Sequence, residues 1–197
     1  DVLVIGGGDV AVDAAITAKR LGAAKVSMAC LESREAMPAY PHNQADALRK
    51  GIECHCGFGP GTILQENGHV AGMELKTCIR VVDEQGRFAP LFDENATMRI
   101  RADHIIFAIG QASELDGFAK DVRTERGRIA IEDVTFSTSA WGIFAAGDAA
   151  TGPSSVVSAI AGGRECAFSI DRMLKGADIR GERERKRPEL PEEQWPR

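Results

Sequence analysis

Residues 2–15 read VLVIGGGDVAVDAA, and this stretch decides the fold. Four apolar residues run without alternation into glycine, the pattern of a parallel strand buried on both faces. The alanine-rich segment 9–21 that follows is helical and is stopped by Gly22. In Gly6-x-Gly8-x-x-Ala11 each small residue has a task. Gly6 permits a tight turn, Gly8 lets a pyrophosphate approach the backbone, and Ala11 lets the helix pack on the strand. The amides of Asp9 and Val10, with the helix dipole behind them, then face the phosphates. Glycine-rich turns also occur for purely structural reasons. The strand before, the helix after and a second strand at the right distance select the dinucleotide reading.

Working outward, residues 25–31 form the second strand, 43–50 a short helix ended by Gly51, and 52–56 (IECHC) a third strand. This β-α-β-α-β order is the first half of a doubly wound sheet. Glu32 closes the second strand, 24 residues after Gly8. A carboxylate there accepts hydrogen bonds from ribose hydroxyls and repels a 2′-phosphate, which favours NADH over NADPH. Arg34, two residues on, works against that preference. The competing reading of Glu32 is a solvated charge at a strand end.

From 62 to about 102 short alternating runs are broken by ENGH, DEQGR and FDENAT, the marks of antiparallel strands joined by turns. Residues 104–110 (HIIFAIG) are again a continuous apolar strand, and 128–132 and 142–147 are further strand candidates. The longest expected helix, 154–174, places Val156, Ile160, Gly163, Ala167, Ile170 and Leu174 on one stripe. A second cradle, IFAAGDAATGPSSVVSAI at 143–160, repeats the strand, glycine and helix logic. The segment 178–197 is charged and proline-bearing, with six acids and six bases, and is expected to be a solvated tail or linker.

Bulk properties bound the function. A net charge of −5 argues against nucleic acid as the main partner. No run approaches the roughly 18 apolar residues of a membrane span, and no signal segment is visible. The five scattered cysteines, an odd number, suit a reducing cytoplasm better than a disulfide framework. In ECHCG, Cys54 and Cys56 share one strand face and His55 takes the other, so no shared metal is expected. His42, His69 and His104 stand without partners for a triad, and no side chain is assigned as a catalytic acid or base. Asp1 leads at once into a buried-type strand, so the chain is read as a piece of something longer.

IGGGDVAVDAAITAKRLGAAKV, ESREAMPA, HIIFAIGQ and GIFAAGDAATGPSSVVSAIAGGRECA together resemble the NAD(P)H:FAD oxidoreductases typified by the small subunit of glutamate synthase. The corresponding half of dihydropyrimidine dehydrogenase is similar. The resemblance implies an α/β fold: a Rossmann-like NAD(P)H-binding domain at 1–102, followed by the C-terminal part of a second, FAD-binding Rossmann-like domain at 103–177. It also implies a first FAD segment and an iron–sulfur domain upstream of Asp1, and an electron-accepting subunit as partner. Carried over by residue, Gly147 allows close approach and Asp148 accepts from the ribityl chain. Ser154, Ser155 and Val156 present amides to the flavin ring, Pro153 fits the first helical turn, and Gly110 sits near the junction of the cofactors. Leu31 and Glu32 stand where NADPH-using relatives carry paired arginines, a departure that again favours NADH. The expected activity is hydride transfer from NADH to FAD, with electrons passed on singly to iron–sulfur centres. The rivals are a non-catalytic NAD-binding or interaction module with a relic flavin site, and another kind of Rossmann enzyme. The latter leaves the second cradle unexplained.

Overall fold

In the computed structural model, residues 1–181 are described, except 116, 118 and 119. The expected tail therefore lies outside the described residues from 182 onward. The chain divides into two compact units, Asp1–Gly110 and Gln111–Arg197.

The first unit is built on a parallel sheet. Its strands are β1 (Val2–Ile5), β2 (Val26–Cys30), β3 (Glu53–Cys56) and β7 (His104–Phe107), in the order β3-β2-β1-β7. Every residue of β2 is buried, as the unbroken apolar run requires. Helices α1 (Asp9–Arg20) and α2 (Pro41–Arg49) cover one face. There Ala11, Val12, Ala15 and Ile16 of α1 meet Val4, Val26, Met28 and Cys30 of the sheet. The other face is covered by an antiparallel sheet of β4 (Phe58–Glu66), β5 (His69–Val82) and β6 (Phe88–Arg101). Leu3, Ile5 and Ala29 pack there on Met73, Leu75 and Ile100. ENGH is the β4–β5 turn, with Asn67 and Gly68 both at positive φ (52° and 79°), the hairpin geometry that Asn-Gly favours.

Two expectations change in this unit. FDENAT does not end a strand. It forms a bulge inside β6, where Lys76 pairs with Thr97 but Thr77 with Asp93. The Asp93 carboxylate accepts from the Asn95 amide (2.9 Å), so a turn-forming side chain serves a bulge. The strand at 104, read as the start of the second segment, pairs in parallel with β1 from Val2↔His104 to Ile5↔Phe107. The first unit therefore runs to Gly110 rather than to residue 102. An apolar strand ending in glycine belongs equally well to either sheet, and only its ladder partner decides.

The second unit holds a hairpin of β8 (Thr124–Glu125) and β9 (Arg128–Ile129), the short helix α3 (Asp148–Thr151) and the long helix α4 (Val156–Leu174). The candidate strand 128–132 shrinks to β9, and 142–147 forms an isolated bridge between Ser137 and Phe144, flanked by backbone hydrogen bonds from Thr138 to Ile143 and from Ala145 to Phe136, in place of a strand. A parallel strand is defined by its ladder, and none of the described residues of this unit supplies one. The buried residues of α4 are Gly162, Cys166 and Ser169. A Cβ on Gly162 would lie 3.3 Å from that of Ala146, and Ser169 Oγ donates to the Thr135 carbonyl (2.6 Å). The expected apolar stripe lies elsewhere on the helix: Val156, Ile160 and Leu174 are 75%, 68% and 78% exposed. No helix among the described residues is long and apolar enough to cross a membrane.

Candidate functional site

The glycine-rich turn separates into glycines that the fold needs and one that it does not. Gly6 has φ 141°, and a Cβ there would sit 2.3 Å from the Ala108 carbonyl oxygen. A Cβ on Gly7 would reach Cys30 Cβ at 2.9 Å and Glu32 Oε2 at 3.1 Å. Gly8 has φ −85°, and a Cβ there would meet nothing within 4 Å. Packing does not explain Gly8; open space in front of a helix N-terminus is what an approaching phosphate needs. Gly8 caps α1 without a side chain, so among the described residues no cap side chain takes the first-turn amides at Asp9 and Val10. The Val10 side chain is 73% exposed at this mouth. Ala11 is fully buried against the sheet, as its small size requires.

Glu32 is brought to the turn, its carboxylate lying over Gly7. Arg34 lines a small cavity together with Met28, Met37, Gln44, Leu48 and Cys54 among others. Gly110, at φ 95° with open space around it, ends the first unit two residues beyond Ala108, whose amide donates to Ile5 (2.7 Å).

In the second unit Gly147 has φ 63° and precedes α3, whose first residue is Asp148. A cleft of about 490 Å³ is lined by Asp148, Ser154, Ser155, Val156, Ala159 and Ile160. The structure thus gathers Asp148 and the three residues expected to present amides around one space. Ser155 is the N-cap of α4, its Oγ accepting from the Ser158 amide (3.1 Å). Pro153 therefore precedes the helix and is not in its first turn.

Sequence reasoning missed three features. The Asp9 carboxylate accepts from the Tyr40 amide (2.9 Å) and from Asn43 Nδ2 (2.8 Å), and so ties the following loop to the start of α1. Nothing in a local pattern signals a contact over that separation. Gly7 received no role, yet it is the glycine that lets the turn lie against Cys30 and Glu32. Third, Cys30 joins Cys54 and Cys56. The register sets Cys30 opposite Cys56 and Met28 opposite Cys54, so the three thiols share one sheet face. The Cys54 thiol is held down to about 6, mainly by its hydrogen bond with Cys30, against its burial. The same contact, with burial, pushes the Cys30 thiol up.

Residues 1–163 match the pyridine nucleotide-disulphide oxidoreductase family. The beta subunit of the NADP(+)-dependent formate dehydrogenase of Moorella thermoacetica is 36% identical over 179 residues, 88% of this chain and 25% of that protein. The PreT subunit of the NAD-dependent dihydropyrimidine dehydrogenase of Escherichia coli O157:H7 is 35% identical over 175 residues, 89% of this chain and 37% of its own length. The small chain of the NADPH glutamate synthase of Azospirillum brasilense is 31% identical over 178 residues, with 88% and 37% covered. The chain thus spans well under half the length of these relatives. Thioredoxin reductase of T. acidophilum superposes on 88% of this chain and 52% of its own, with a TM-score of 0.73 and 20% identity, a likeness of fold. The chain belongs to the pyridine nucleotide-disulphide oxidoreductase family, whose members bind FAD and NAD(P)H.

Proposed function

We propose that this member of the family holds the NADH site and one side of the FAD site of a flavin-dependent oxidoreductase. The dinucleotide part comprises the first unit, and the flavin segment begins after Gly110 and runs to about residue 177. Its electrons leave through iron–sulfur centres or an accepting subunit carried by other parts of the protein or by a partner. The cytoplasm is the compartment this reading implies.

The observation that carries the reading is Gly8. Its neighbours in the turn are forced to be glycine by close packing, while Gly8 faces open space before uncapped amides. At that mouth the amides of Asp9 and Val10 bind the pyrophosphate, aided by the dipole of α1. The Glu32 carboxylate accepts from ribose hydroxyls and repels a 2′-phosphate. In the cleft of the second unit, Asp148 accepts from a polyol hydroxyl. The amides at Ser154, Ser155 and Val156, with the α4 dipole, stabilise negative charge on the ligand. Flavin, when bound, supplies the two-electron acceptor for hydride and the one-electron donor for the next carrier. The chain's task is to position and to set the local field.

The exposed stripe of α4 fits this division, since an apolar face beside a half-built cleft is where the rest of the flavin domain packs. The test is a calorimetric titration of the 197-residue chain with NADH and with NADPH. NADH is expected to bind at least about tenfold tighter, and Glu32→Gln to narrow that ratio, the size of one like-charge contact near a surface. Equal affinities that Glu32→Gln leaves unchanged would remove Glu32 from the site.

A further inference from the structure

We propose that Cys30, Cys54 and Cys56 form a binding site for a soft thiophilic cation, Cu(I) rather than Zn(II). The three sulfurs come from two adjacent parallel strands, β2 and β3, in a register that points all of them to one face. All three lie within 4.8 Å of one another, and Cys54 and Cys56 are 3.6 Å apart. Metal–thiolate bonds of about 2.3 Å place sulfurs about 3.8 Å apart in a tetrahedral site and about 4.0 Å apart in a trigonal one. The Cys54–Cys56 pair is thus within a few tenths of an ångström of ligating geometry and Cys30 is within about 1 Å of it, and a strand ladder holds the three together.

The donor set selects the ion. Met37 Sδ lies 4.0 Å from Cys54 Sγ, a fourth soft donor in reach. His55, the nearest imidazole in sequence, takes the opposite face of β3 with Glu53. Among the described residues the cluster includes no imidazole or carboxylate. Zn(II) sites are completed by nitrogen, oxygen or a fourth thiolate, whereas thiolates with a thioether suit Cu(I). Cys30 is buried and the other two thiols half-buried, which excludes competing water while leaving an entry path. Cys30, Cys54 and Cys56 are in no disulfide, so these thiols are available. The site does not depend on the nucleotide reading: its ligands are below the turn, not in it.

The experiment uses the full 197-residue chain, reduced and kept anaerobic, titrated with Cu(I) delivered from its bicinchoninate complex, with Zn(II) in a parallel arm. One Cu(I) per chain is expected to leave the chelator. Cys54→Ser and Cys56→Ser should each weaken binding by at least about 100-fold, more than the loss of an outer-shell partner costs. Cys78→Ser, outside the cluster, should leave it within about threefold. Circular dichroism of each variant separates loss of ligand from loss of fold, and Met37→Leu, which keeps the packing volume, is expected to weaken Cu(I) alone. Copper retained in folded Cys54→Ser and Cys56→Ser, or Zn(II) displacing an equimolar amount of Cu(I), would overturn the assignment.

Discussion

Helices α1 and α4 each follow a glycine-bearing turn and each carry an apolar stripe, yet one stripe is covered and the other is not. Ala11, Val12, Ala15 and Ile16 of α1 are buried against the parallel sheet. On α4 the buried residues are Gly162, Cys166 and Ser169, while Val156, Val157, Ile160 and Leu174 look outward. The difference lies in what each helix packs on. α1 crosses a sheet whose strands are all present in its own unit. α4 lies on the 144–147 segment, which has a single bridge in place of a ladder. Hydrophobic periodicity therefore tells which face of a helix is apolar; it does not tell whether the same stretch of chain provides the cover.

A matched pair of truncations sharpens this contrast most. Leu3→Ala removes a fully buried side chain from the first unit and is expected to cost about 2–5 kcal/mol. Ile160→Ala on α4 is expected to stay within about 0.5 kcal/mol, as at an exposed site. Urea unfolding followed by circular dichroism measures both, and equal costs would mean that the α4 stripe is covered in solution, by self-association or otherwise. The next effect divides the glycines. Gly8→Val should change stability by only about 1 kcal/mol, because its Cβ meets open space, while NADH affinity falls at least about tenfold. Parallel loss of stability and binding would return Gly8 to a structural role.

The smallest expected effect is a pH dependence confined to the second unit. The Glu132 carboxylate accepts from the Thr135 hydroxyl and amide, both at 2.8 Å, and these bonds hold its carboxyl below the usual range. The group contributes stability above its unfolded value of about 4.3, and that contribution is lost as pH falls through the lower folded value. Amide exchange at Thr135 should accelerate as pH drops through that window once the intrinsic rate is divided out, and Glu132→Gln should flatten the trend.

The first unit was largely legible in the sequence because its signals are local. VLVI, the glycine spacing and the helix stop at Gly22 each act within a few residues. ENGH predicted its hairpin for the same reason. What escaped the sequence depends on partners far along the chain. HIIF carries no mark of which sheet it joins, and it joined β1. Cys30 and Cys56 are a plain strand residue and a plain C-x-C until the parallel register sets them side by side. In the second cradle, Asp148, Ser154, Ser155 and Val156 were found from their resemblance to a family motif, and they do line one cleft. The helix they introduce was found as well, with its apolar stripe, but whether that stripe is covered was not legible in its periodicity.

The proposed function gives this chain a working dinucleotide site and only part of a flavin site. Its most direct test is one preparation of the 197-residue chain titrated with NADH and, separately, with FAD. Saturation by one equivalent of NADH and no saturable binding of FAD are expected. Stoichiometric FAD on the monomeric chain, or no NADH binding by the folded chain, would contradict it.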